Sequence, residues 1–135
     1  MARKIKWLDE PEAKDYEAAR SYLSLFVPPA DLEELISGLT SSPTVGAWHA
    51  KDVLRAARLP LLTKTDSSEV AQKLIHIKEG VALSPILLVC VRQRVVLQIA
   101  DGYHRTCAVC LTTEDGLVPG RLVFDERRAA SSLQA

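Results

Sequence analysis

A small α/β (α+β) domain, helical in its first half and closing on a small mixed sheet, is what this sequence predicts. Three observations carry it. Apolar residues recur at helical spacing through most of the first eighty positions. After Pro85, short β-branched runs replace that pattern, as Ile86-Leu87-Leu88-Val89-Cys90-Val91 and Val95-Val96-Leu97-Gln98-Ile99. The chain then returns to helical spacing from Tyr103 to Thr113 and ends on the apolar run Val118 to Phe124.

Taken in order, Lys4 to Leu8 reads as a short strand. Pro11 opens a helix in which Tyr16, Ala19, Leu23 and Phe26 share a face, and Pro28-Pro29 ends it. Asp31 and Glu34 have the spacing of a capping box ahead of Leu32, Leu35, Ile36 and Leu39. Thr40 to Gly46 reads as loop. Lys51 to Arg58 is helical with Val53, Leu54 and Ala57 inward. Asp66 and Glu69 form a second capping-box pattern, before Val70, Leu74 and Ile77, and Gly80 is placed to end that helix. The two runs after Pro85 are buried strands, although the Arg92-Gln93-Arg94 link lacks the glycine or asparagine of a tight hairpin. Strand, helix and strand from Val95 to Phe124 leave enough chain for a crossover. The organisation is an N-terminal helical extension (1–45), a domain (46–125) and a polar C-terminal tail (126–135).

Composition narrows the function classes. The length of 135 residues suits one domain, and 47% apolar residues suffice for a core. Seventeen basic and seventeen acidic side chains cancel, which gives no electrostatic footprint for wholesale binding to nucleic acid or an anionic membrane. No apolar signal core follows the basic start, and Ile86 to Val91 is too short to span a bilayer. Cys90, Cys107 and Cys110 are odd in number and sit in apolar surroundings, so reduced thiols in a cytoplasmic protein are expected.

One point concentrates chemistry. A hydrophobic strand ends at Ala100, Gly102 turns the chain, and a helix starts near Tyr103. A helix start leaves N–H groups unpaired with partial positive charge behind them, a ready site for phosphate or carboxylate. Gly102 permits close approach to the backbone, Arg105 offers a bidentate fork and His104 another donor. Asp101 has three readings here: a Mg²⁺ ligand, a base, or a plain cap for the helix.

The stretch Ile99-Ala100-Asp101-Gly102-Tyr103-His104-Arg105-Thr106-Cys107-Ala108 resembles the signature of the ParB/sulfiredoxin superfamily, a strand running into a Gly-x-x-Arg helix start with a small residue three positions on. Upstream, Gly80-Val81-Ala82-Leu83-Ser84-Pro85-Ile86 is similar to that family's Gly-x-x-x-x-Pro approach to a strand. Val118 to Val123 is similar to its closing strand. The likeness spans about Ala50 to Phe124; residues 1–45 match nothing in it. It implies a ParB/sulfiredoxin-like sheet with flanking helices and a nucleotide held by its phosphates, as CTP, ATP or ADP with Mg²⁺. Among its members, a free-serine kinase with Asp-Gly-His-His-Arg is nearest to Asp101 through Arg105. By resemblance, Gly102, Tyr103, His104 and Arg105 bind the nucleotide, and Asp101 and His104 are the candidate catalytic groups. Sulfiredoxins carry their reactive cysteine where this chain has Tyr103, so that redox chemistry is not expected.

Lys51 and Arg55, with Asp52, lie within Trp48 to Arg55, a segment similar to the region where that family places polar residues towards the nucleotide. The alternative is a solvated helix face. Cys107-x-x-Cys110 with His104 lacks the fourth ligand of a zinc site, and core cysteines are the simpler reading, with no metal site expected. His76, between two isoleucines, reads as structural or exposed. Three functions follow. The first is a nucleotide-dependent phosphotransferase or nucleotidase, with Asp52 or Glu79 as a possible second carboxylate. The second is a non-catalytic nucleotide sensor or protein-interaction module, with a protein partner or a second copy of the chain. The third, a ParB-like DNA-binding protein or nuclease, is disfavoured by the neutral charge.

Overall fold

The computed structural model describes residues 4–91 and 96–125, so the Arg92-Gln93-Arg94 link and the polar tail lie outside the described residues. Helix α1 (Ala13–Leu23) starts just after Pro11 and is capped reciprocally: the Glu12 side chain accepts from the Asp15 backbone, and Asp15 Oδ2 accepts from Glu12 N at 2.8 Å. Phe26 falls beyond this helix and is half exposed. Helix α2 (Pro29–Ser41) has Pro28 as its N-cap, with Pro29 where a missing N–H costs nothing. The capping box expected at Asp31 and Glu34 is therefore displaced, and Asp31 sits in the first turn.

Strand β1 (Val45–His49) and helix α3 (Ala50–Ala57) follow. The expected loop thus shrinks at both ends, and Trp48-His49 belongs to the strand. Val53, Leu54 and Ala57 point inward as the spacing required. Helix α4 (Ser68–Glu79) is capped by Ser67, whose Oγ accepts from Val70 N at 3.3 Å. Its neighbour Asp66 instead accepts from Thr63 N at 2.9 Å, which moves this cap one residue from the expected position. Gly80 ends α4 in the left-handed region at φ 75°.

Strands β2 (Ile86–Val91) and β3 (Leu97–Asp101), helix α5 (Tyr103–Thr112) and strand β4 (Leu117–Asp125) complete the chain. The four strands form one mixed sheet in the order β1-β4-β2-β3. β2 pairs antiparallel with β3, as expected, and parallel with β4. The crossover therefore links β2 to β4, and β3 with α5 are its two legs. Lys4 to Leu8 makes no strand; it joins only through a single bridge between Trp7 and Leu83.

β2 is buried on both faces, which is why it reads as an unbroken apolar run. On one face Leu87, Val89 and Ala100 pack against α1 and α2 through Leu23, Leu35 and Leu39. On the other, Ile86, Leu88, Ile99 and Val118 meet α3, α4 and α5. The N-terminal helices are thus one of two covering layers. Arg121 of β4 fastens that layer: its Nη1 donates to Thr40 O at 2.7 Å, Leu39 O at 3.3 Å and Tyr16 Oη at 3.0 Å. A cation is favoured there, because the last carbonyls of α2 carry the negative end of its dipole. No helix among the described residues is long and apolar enough to cross a membrane.

Candidate functional site

At the sheet's β3 edge the chain turns into α5 through Gly102, at φ 113°. A Cβ there would lie 2.7 Å from Ile86 Cβ, so both the turn and the packing demand glycine. Gly102 is the N-cap, no side chain caps the helix, and its first turn holds no acidic residue. The first bonds inside the helix both end on Gly102 O, from Thr106 N at 2.9 Å and Thr106 Oγ1 at 2.8 Å. The N–H groups of Tyr103, His104 and Arg105 precede that bond and carry the positive end of the helix.

Asp101 does not cap this helix. Its Oδ2 receives Arg105 Nη2 at 2.5 Å, one turn along the helix. Arg105 is only 5% exposed and turned inward. Its Nη1 donates to Ser84 O at 2.8 Å, to Ser84 Oγ and, at 3.5 Å, to Asp15 Oδ1. The fork expected to grip a phosphate therefore grips two carboxylates and the residue before Pro85. Arg105 holds together α1, the approach to β2 and the end of β3.

Burial pushes the Asp101 carboxyl up to about 6, and the neighbouring Asp15 adds to the rise, although Arg105 pulls the other way. Asp15 moves down instead: burial acts against it, but hydrogen bonds from Ser84 and the Glu12 backbone, with the Arg105 charge, outweigh that. Lys73 of α4 faces the same cluster. Its ammonium is pushed down first by burial, then by the charges of Arg105 and Lys14, while Asp15 and Asp101 oppose the fall. Asp15, Ser84 and Lys73 were not singled out in the sequence. Ser84 stands next to the Pro85 landmark, but nothing local marks Asp15, which lies ninety positions before Arg105.

His104 remains partly exposed beside the open N–H groups, 3.5 Å from Glu69 through Nε2 and stacked at a tilt on Tyr103. Tyr103 donates its hydroxyl to Pro60 O at 2.7 Å, fixing the segment after α3 against the start of α5. Lys51 and Arg55 do not join this site. Ala50 N bonds Gly116 O at 2.9 Å, which sets the start of α3 at the far end of α5. There Lys51 lies 3.6 Å from Asp115, and further along α3 the exposed Arg55 pairs with Asp52 at 2.9 Å. Cys107 is buried and accepts from Leu62 N at 3.5 Å; burial raises its thiol, the behaviour of a core cysteine. The donor set does not suit Mg²⁺ on the protein: Asp101 already faces a guanidinium and a second carboxylate. Among the described residues no group of three His, Cys, Asp or Glu side chains could hold a metal.

Comparison with family models, with curated proteins and with solved structures returned no match.

Proposed function

We propose that this chain binds a nucleotide by its phosphates at the start of α5, in the manner of a ParB/sulfiredoxin-like domain. One observation carries the reading. The N–H groups of Tyr103, His104 and Arg105 head a glycine-capped helix while Asp101, the natural candidate to cap them, is drawn away by Arg105. An anion is the partner such a helix start favours. Gly102 sets the turn and packs against Ile86, and the partly exposed His104 supplies a further donor at the edge of the helix start. Arg105 shapes the turn from behind and does not reach out to the ligand. Any Mg²⁺ would arrive on the nucleotide's own phosphates. If phosphoryl transfer follows, it relies on positioning and charge neutralisation, and His104 is the side chain in place to contribute. Binding without turnover is the second reading, favoured because Asp101 and Arg105 neutralise each other and leave no unpaired carboxylate at the turn.

The test is a thermal-shift panel of ATP, ADP, CTP and pyrophosphate with Mg²⁺. At a hundredfold excess over Kd, binding to the folded state alone adds about 2.7 kcal/mol. That corresponds to a rise of roughly 7–13 °C for a domain of this size. His104→Ala should weaken the shift, and Tyr103→Phe, which keeps the backbone N–H, should preserve it. Absence of any shift at millimolar ligand would refute the site. Release of inorganic phosphate then separates turnover from binding.

A further inference from the structure

A pocket of about 300 Å³ lies between α3 and the sheet, built without any residue of the α5 turn. Leu88, Leu97 and Leu122 contribute one wall from three adjacent strands, and Val53 with the rim residue Ala56 contributes the other from α3. Trp48, at the end of β1, adds an aromatic surface. Two apolar walls facing each other make a slot for a flat molecule. Its volume is roughly twice the ~150 Å³ that a single benzene ring occupies in an apolar cavity, which is room for two fused rings.

The polar groups in this lining are His49 and Asp52, at the junction of β1 and α3. His49 Nδ1 is buried with no hydrogen-bond partner among the described residues. Buried polar atoms are almost always paired, so an unpaired nitrogen on a residue that lines the pocket favours an occupant able to hydrogen-bond there. With the proton on Nε2, Nδ1 is an acceptor, and the Asp52 carboxylate accepts only. Asp52 Oδ1 is engaged by Arg55 at 2.9 Å. In that tautomer both groups accept, so an occupant that pairs with them presents donors.

We infer that this pocket is a second ligand site, for a flat bicyclic heteroaromatic molecule that presents N–H donors to His49 and Asp52. The inference stands independently of phosphate binding at α5. The probe is 2-aminobenzimidazole, titrated into the ¹⁵N-labelled full-length protein. Its control is 1,2-dimethylbenzimidazole, of similar size but without an N–H. Saturable shifts are expected at the Trp48 indole and at the amides of His49, Asp52 and Val53, with Gly102 to Arg105 unmoved. The control should bind at least roughly tenfold more weakly, the loss that accompanies an unmade buried hydrogen bond. His49→Phe should weaken the probe by a similar factor. Ala56→Phe, at an exposed position, should block the slot without changing the melting temperature, which keeps the result independent of any folding defect in His49→Phe. Equal binding of the two compounds, shifts that map elsewhere, no saturable shift at millimolar probe, or indifference to both variants would overturn the assignment.

Discussion

Replacing Arg105 by alanine leaves the Asp15 and Asp101 carboxylates facing each other without the guanidinium between them. Breaking a buried ion pair by removing one partner costs about 3–5 kcal/mol, and urea unfolding of Arg105→Ala should show a loss of that order. A variant as stable as the wild type would contradict the clamp described here. The same cluster sets a dependence on pH. Asp101 holds its proton more tightly folded than unfolded, since its pKa rises from 3.8 to about 6. The stability this gives is complete below about pH 4 and is lost as pH rises through about 6, on the order of 2–3 kcal/mol in all. The lowered Asp15 acts in the opposite sense and only below its ordinary range. Melting temperature should therefore fall between pH 4 and pH 7, and Asp101→Asn should flatten that fall. Parallel profiles for the two proteins would remove Asp101 as the cause.

Helix α5 depends on the glycine at its N-cap. Gly102→Ala combines a left-handed backbone with a collision against Ile86, so its cost should exceed the ~1 kcal/mol of an ordinary strained site, reaching roughly 2–4 kcal/mol by chemical denaturation. A cost under 1 kcal/mol would mean the turn can relax. The strand–glycine–helix pattern that marks this place was legible because each part is local. Long periodic elements were legible for the same reason: the inward face of α3, all of α4 with its Gly80 stop, and β2. β1 was not, because Val45 to His49 contains a glycine and no clean alternation. Its strand state comes from β4, with a register irregularity between Val45 and Trp48. The caps slipped where two suitable residues adjoin, as with Asp66 and Ser67, or where proline takes the position, as with Pro28. The inward turn of Arg105 was beyond local reading, since it is decided by Asp15 and Ser84.

The whole molecule is a sheet between two helical layers, and the layers are not interchangeable parts. Deleting residues 1–44 would uncover Leu87, Val89, Ala100 and Val123 together. It would also strip Arg121 of the Tyr16, Leu39, Thr40 and Thr44 oxygens it holds. A fragment from residue 45 onward should accordingly lose cooperative unfolding and bind hydrophobic dyes. A sharp thermal transition in that fragment would show that the sheet and its other layer stand alone.

The reach of the Arg105 clamp also bears on time. Asp15 and Arg105 are separated by 90 positions and Tyr16 and Arg121 by 105, so each contact closes two thirds or more of the 135-residue chain. Loop closure on that scale is paid for in entropy before any contact repays it, and pairings of high sequence separation form slowly. A nascent chain can build α1, α2 and α4 from local interactions well before Arg105 is synthesised. It cannot set the guanidinium behind the Gly102 turn until the opening helix docks on the finished sheet. The geometry at the start of α5 is therefore expected to be completed late in folding, once the opening helix has docked on the sheet.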